Sequence, residues 1–545
     1  MALGRLTFAA LAFAARGVLA QTWCGKNYMQ SSPVVPPGGQ FAIPATSSEP
    51  LLAFRCVPAI KPYLPEDAFT PASIIVDTYI TYSEIANTAP ISLPDDGLLG
   101  DLLVTVEVDG MIVTGGIVPL NATKVELPFS LIGLTPQKAA RDVSCTAVYA
   151  STKGLQTFKT SAALSYLPNP TDGSAVTKMD LRTGALLAKP ATGKGGDYEP
   201  VMAVGFYSGF DNYLATNLST INEAKEMGFS VIHPIPTFDN LTQLQEVITR
   251  MEEVGIYLIT YMNDTAVMEQ VNMIKNSSAL LLWYTGDEPD GTSDPLNATV
   301  HAYDLIYELD GYHPVSLCLN CYDYYWSNYT AGADIVMQDA YTIGLNATWS
   351  VEWNTSCTPD FGDCGCDDCK GDFEDISNRM DVFAYRLWAE GWDRTKAVWT
   401  VPQGFGAAEY WRREPTGPEF VVQSVLAINH GGKGVVSWDA PTTTAIWDYA
   451  SLLAMASPTL NAFIASDSAT FQHVFYNQID IGFWSVDGKT LVLATNLNYA
   501  NETFDLATVP GLRTYPATQV LNSGAALSGS VIEFTSVGSG GFIVG

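Results

Sequence analysis

Two carboxylates stand side by side in "LLLWYTGDEPDG", Leu280 to Gly291, where an aliphatic and aromatic run gives way to Asp287, Glu288 and Pro289. Adjacent acids at the end of an apolar segment raise the possibility of a catalytic centre. The competing reading is an acidic turn, since an Asp ahead of a helix often serves only as its cap. Pro289 follows Glu288 at once and no helical pattern begins for several residues, so capping accounts poorly for Glu288. Apolar runs elsewhere end on a similar set: Tyr207, His233 with Pro234, Asn263 with Asp264, Cys318 to Cys321, Gln338 with Asp339 and Tyr341, Gln403, and Trp438 with Asp439. The set is rich in carboxylates and aromatics and holds no Ser-His-Asp combination. With five histidines in the chain, no metal site and no cofactor are expected.

These residues share a position in a repeating pattern. From residue 201 apolar strands alternate with amphipathic helices: "VMAVGFYSGF", "FSVIHPIP", "IYLITYMND", "LLLWYTGDEP", "PVSLCLNC", "DIVMQDAY", "AVWTVPQGFG" and "GVVSWDAP". Most helical segments between them, such as "NLTQLQEVITRMEEVG", end in Gly, which supplies a left-handed helix stop. Eight alternations in about 260 residues predict a (β/α)8 barrel, whose reactive groups gather where strands run out into loops. A doubly wound sheet is the alternative, but no Gly-rich phosphate loop follows any strand. Short strand-like runs before residue 195 and after 461 predict a β-sandwich on each side. The expected order is a leader at 1–20, a sandwich at 21–195, the barrel at 196–460 and a second sandwich at 461–545.

The leader combines Arg5, an apolar run from Leu6 to Ala15 and small residues at Val18 and Ala20, the pattern of a cleaved export signal. An extracellular, monomeric protein follows as the expectation. The formal charge of -30 argues against nucleic acid and anionic membranes as partners and is compatible with neutral sugars. Acceptor sequons at Asn121, Asn217, Asn240, Asn263, Asn276, Asn297, Asn328, Asn346, Asn354 and Asn501 predict N-glycans and a eukaryotic route.

Nine cysteines in an exported chain predict disulfides over zinc, because oxidation removes the thiolates zinc needs. Cys318, Cys321, Cys357, Cys364, Cys366 and Cys369 are expected to staple one long loop with three bridges. Cys24, Cys56 and Cys145 then leave one thiol free or bonded to another molecule. The run "CDDCKGDFED" lacks the ligand spacing of a calcium loop and reads as a solvated acidic lid.

Cleavage of a glycosidic bond needs an acid to protonate the leaving oxygen and commonly a second carboxylate. Sugar faces stack on aromatic rings, for which Trp283, Tyr284, Tyr341, Trp411 and Trp438 are candidates. Tyr207, His233, Gln403 and Asp439 complete the expected carbohydrate contacts. Asp339 is the preferred distant partner of Glu288, since a charge ending the apolar "IVMQDAY" is costly without purpose.

The barrel region, above all "WYTGDEPDG" and "PQGFGAAEYWRREPTGPEFVVQSVLAINHGGKGVVSWD", resembles secreted fungal proteins of glycoside-hydrolase type, over roughly residues 200 to 460. In the large retaining clan of such barrels the acid/base Glu ends the fourth strand, and Glu288 matches it, with Asp287 where Asn is usual. The clan's nucleophile is a Glu ending the seventh strand; here Gln403 stands there, with Glu409 several residues on. Two arrangements follow from the resemblance. In one, similar to hexosaminidases with an adjacent Asp-Glu pair, Asp287 orients a substrate acetamido group that acts as internal nucleophile. In the other, Glu288 works with Asp339 or Glu409 across the barrel mouth. The expected activity is O-glycosyl hydrolysis; a non-catalytic carbohydrate-binding barrel and a cell-wall structural glycoprotein are the alternatives.

Overall fold

The computed structural model describes residues 22 to 545 apart from 34, 36–37, 96, 98, 152, 172–173, 237, 239 and 261–266. The expected leader and the pair Asn263–Asp264 lie outside the described residues. At the centre is a closed barrel of eight parallel strands: Ala203–Gly209, Val231–Ile235, Tyr257–Thr260, Leu280–Asp287, Val315–Leu319, Ile335–Gln338, Ala397–Thr400 and Gly434–Ala440. All eight fall within the runs expected from sequence. Ala203 pairs with Gly434, so the last strand closes on the first. A helix follows each strand, including three that the pattern did not announce, Val267–Ile274, Trp326–Ala331 and Thr444–Ile464.

Local signals explain the better-defined helices. Asn240 accepts from the backbone N–H groups of Thr242 and Gln243, and Gly255, at φ 75°, ends the helix Leu241–Val254. Thr416 and Glu419 form a capping box at the start of Gly417–Asn429. The strands are apolar on both faces because one face packs on the helices and the other fills the barrel. Trp283 belongs to the outer layer, among Leu258, Val315 and Ile306, whereas its neighbour Tyr284 points inward with Tyr207 and Met337.

Two four-stranded antiparallel sheets precede the barrel and enclose one core, with Leu52, Phe54, Val104 and Val106 between them. The disulfide Cys56–Cys145 joins a strand of one sheet to a strand of the other. A third small sheet, built from Ile60–Lys61, Thr177–Asp180, Ala185–Ala188 and Glu199–Val201, contributes Met179 and Leu186 to the core that fills the barrel. It spans the Pro- and Gly-rich stretch around 190 to 198, so strands of one sheet lie on both sides of that stretch. After the barrel, a sheet carries the long hairpin Ala517–Ser528 and Val531–Val544. The two ends of Val531–Val544 pair with different strands, Lys489–Asn496 and Glu502–Asp505, and Phe504, Phe534 and Phe542 share one core.

The cysteine expectation needs correction. Cys24 pairs with Cys321 across 297 residues, Cys357 pairs with Cys364 and Cys366 with Cys369. The loop therefore carries two internal bridges, and the free thiol is the buried Cys318. Cys318 lies in the fifth barrel strand with its side chain in the barrel core, out of reach of the loop. The acidic run beside these bridges is also more engaged than a solvated lid: Lys26 pairs with Asp367 and Asp368, and Asp375 accepts from the backbone of Lys370, Gly371 and Asp372. No helix among the described residues is long and apolar enough to cross a membrane.

Candidate active site

The fourth strand ends on Asp287, and Glu288 follows in the left-handed region at φ 49°. That conformation is costly for a residue with a Cβ and is tolerated where surrounding contacts enforce it. The contacts are specific. Nδ2 of Asn320 donates to Oε1 of Glu288 at 3.0 Å and to Oδ1 of Asp339 at 3.2 Å. Asn320 is itself held by Nε1 of Trp23, which donates to Oδ1 at 2.9 Å. The Glu288 and Asp339 carboxyls are thus joined through the Asn320 amide, with the buried Cys318 thiol in the same cluster.

Burial and the neighbouring charge of Asp339 push Glu288 well above the usual carboxylate range. Asp339 is raised by burial too, while Glu288, Asn320, Cys318 and the nearby Arg379 pull the other way. Of the two carboxyls, Glu288 is therefore pushed further toward its protonated form. Asp290, just beyond, is almost fully buried and accepts from the backbone N–H groups of Gly291, Asn320 and Cys321. Burial lifts it to about 7 against the pull of those donors.

Asp287 faces another way. It is exposed to the barrel mouth and lines a cavity of about 590 Å³ together with Tyr207, His233, Tyr284, Trp438 and Asp439. The Tyr284 hydroxyl donates to its Oδ1 at 2.6 Å. The surrounding protein raises Asp287 to about 6, opposed by that bond, and burial raises Asp439 to about 6 as well. Tyr207 packs against His233, Tyr284 and Trp438, with ring centroids 4.2, 5.7 and 5.3 Å away. Burial drives His233 down to about 3, so it stays neutral, and its Nδ1 has no hydrogen-bond partner among the described residues. Among the described residues, the cavity lining contains carboxylates and no lysine or arginine.

Five expected contacts thus converge on one cavity: Tyr207, His233, Tyr284, Trp438 and Asp439, with Asp287 beside them and Glu288 and Asp339 behind it. Four others do not line it. Trp283 is fully buried on the outer face of its strand, where Nε1 donates to Asp310 at 2.8 Å. Gln403 is fully buried and tied to backbone, accepting from Ile343 N and donating to Ile343 O and Phe405 O. Trp411 and Tyr341 pack on each other, with the indole donating to the Tyr341 carbonyl. Glu409 sits exposed on a loop and is not among the residues that line the cavity. Sequence reasoning missed Asn320, although "CLNC" ends a barrel strand, and missed Asp290, which lies inside the opening motif itself.

No known family model matches the chain, and no curated protein is recognisably similar in sequence. Among solved structures the chain is similar to a β-glucuronidase from Ruminococcus gnavus, at 10% identity over 73% of this chain and 61% of that one, with a TM-score of 0.32. It is also similar to an FMN-binding β-glucuronidase from Faecalibacterium prausnitzii, at 10% identity over 89% of this chain and 70% of that one, TM-score 0.34. An Anoxybacillus α-amylase matches at 10% identity over 60% of this chain and 89% of that one, TM-score 0.38. The chain thus spans less than two thirds of the R. gnavus enzyme. Likenesses this distant carry no argument about activity, and the barrel stands on its own strand pairing.

Proposed function

We propose that the protein hydrolyses O-glycosidic bonds at the barrel mouth, with Glu288 as the general acid and Asp287 as the carboxylate that faces the sugar. The observation that carries this reading is the division of protonation between neighbours: Glu288 is held protonated against Asp339, while Asp287 ionises at about 6 beside an aromatic cavity. Glu288 would protonate the leaving oxygen as the bond to the anomeric carbon breaks and a substrate acetamido oxygen bonds to that carbon; the Glu288 carboxylate would then take a proton from the water that attacks the same carbon and displaces the acetamido oxygen, which restores the acid. Asp339 shares the Asn320 amide with Glu288 and is not among the residues that line the cavity. Asp339 is therefore a positioning residue that keeps the proton on Glu288.

With Gln403 tied to backbone where a nucleophilic Glu would stand, the second role passes to Asp287. Its fixed bond to Tyr284 suits it to orient a substrate acetamido group as internal nucleophile, so N-acetylated hexosides with retention of configuration are the favoured substrates and outcome. A uronic acid would bring a carboxylate beside Asp287 and Asp439 in a lining whose described residues include no cation, which disfavours acidic sugars. Export and N-glycosylation belong to the same proposal; of the nine described sequon asparagines eight are exposed, Asn346 being half-buried. The test is a screen of the full chain against fungal and plant wall polysaccharides and N-acetylated glycans, with product stereochemistry followed by NMR. Glu288→Gln is expected to lower turnover by about 10²- to 10⁴-fold with circular dichroism unchanged. Near-normal turnover in that variant on a confirmed substrate would overturn the assignment.

A further inference from the structure

Two of the five histidines meet far from the barrel mouth. His430 caps the end of the helix Gly417–Asn429, and His473 lies in the strand Thr470–Tyr476 of the C-terminal sheet. Both present Nε2 to the same atom, Oδ2 of Asp480, at 3.1 and 2.7 Å. Asp480 is fully buried in the adjacent strand Ile479–Val486, and its other oxygen accepts from Nδ2 of Asn429 at 2.7 Å. On its far side, His430 Nδ1 contacts Oδ1 of Asp381 at 2.8 Å.

We infer that this junction is a divalent transition-metal site with His430 Nε2, His473 Nε2 and Asp480 Oδ2 as its protein ligands. The three atoms lie within 4.8 Å of one another and come from separate parts of the chain that the fold has already brought together. Zinc bonds to imidazole nitrogen and carboxylate oxygen are about 2.0 to 2.2 Å, which places tetrahedral ligands roughly 3.3 Å apart. The two nitrogen–oxygen separations, 3.1 and 2.7 Å, would open by about 0.2 and 0.6 Å to reach that spacing. Asp381 supplies the outer partner that metal-binding imidazoles commonly have, fixing the ring so that Nε2 faces inward. Asn429 does the same for the carboxylate, leaving Oδ2 to the ligand side. Two imidazoles with one carboxylate favour zinc, nickel or copper over calcium or magnesium, which take oxygen ligands. The His473 side chain is 28% exposed, which leaves an entry path and room for water or a fourth ligand.

Such an ion would tie the helix Gly417–Asn429 of the barrel to the C-terminal sheet, far from the sugar cavity, so its function is cohesion at that junction. The test uses the full chain, stripped with chelator and titrated with Zn²⁺ by calorimetry and with Co²⁺ by visible absorption. One equivalent per chain is expected, with the d–d bands of a low-coordinate site that includes nitrogen, and a thermal midpoint that rises with Zn²⁺. His473→Ala, at a partly exposed position, should abolish the bands and weaken Zn²⁺ binding at least 10-fold. Asp381→Asn, which leaves all three ligands in place, should weaken it about 10- to 100-fold. Absence of stoichiometric binding in the unaltered chain, or equal affinity in His473→Ala, would overturn the inference.

Discussion

The Tyr284 hydroxyl is the one group that pulls the Asp287 carboxyl down against its surroundings, and its removal has a direction that can be worked out beforehand. Asp287 stands at about 6, raised by burial and by Asp339 and lowered by the 2.6 Å bond from Tyr284. A hydrogen bond to a charged group contributes about 1.5 to 3 kcal/mol. Asp287 is exposed to the barrel mouth, so water replaces part of what Tyr284→Phe removes, and the lower end of that range applies. About 1.4 kcal/mol corresponds to one pH unit. Losing the donor disfavours the ionised form, so the carboxyl holds its proton to higher pH. The acid limb of kcat/KM should move from near pH 6 to near pH 7, with activity at pH 5 down about 10-fold and activity at pH 8 little changed. The assay is a kcat/KM profile from pH 4 to 9 on the best substrate of the screen, beside the unaltered protein. An acid limb that stays in place, moves to lower pH, or gives way to a uniform loss at every pH would refute the idea that ionised Asp287 is the working form.

Trp283→Phe separates barrel wall from active site: losing the buried bond to Asp310 and part of the indole packing should cost about 2 to 4 kcal/mol of stability in denaturant unfolding. Its kcat/KM should be unchanged, and a selective loss of activity would return Trp283 to the site. Replacing both Cys24 and Cys321 by Ser opens a loop of 297 residues. The chain-entropy account gives about 6 kcal/mol for so long a loop, read as a lower thermal midpoint. Because Trp23, next to Cys24, holds Asn320 at the Glu288–Asp339 pair, activity in that variant should fall as well. An unchanged midpoint would show that the N-terminal segment is anchored without the disulfide.

Much of the fold was legible because parallel barrel strands are buried on both faces and so read as unbroken apolar runs. Short helices were less visible. Trp326–Ala331 is only six residues long, and the helix Thr444–Ile464 is apolar over so much of its surface that its period is weak. At the site, strand ends located Asp287, Glu288 and Asp439, but whether a neighbouring aromatic faces cavity or helix depends on a strand's period of two. Applied to Trp283 and Tyr284, that rule permits only one of them to face the barrel interior, and the structure selects Tyr284.

By itself the sequence determined the count and order of the strand–helix units, the strand end that carries the acidic pair, and the excess of carboxylates over cations. These are local matters of pattern and composition along a continuous stretch. Tertiary structure alone decided which distant groups touch. The contact of Glu288 with Asp339 through Asn320, the Cys24–Cys321 bridge that leaves Cys318 free, and the meeting of His430 with His473 all join separate segments. A carboxyl's protonation depends on charges a few ångströms away through a medium of low dielectric. The meeting of Glu288 and Asp339 at Asn320 therefore raises the Glu288 carboxyl, something no spacing along the chain expresses.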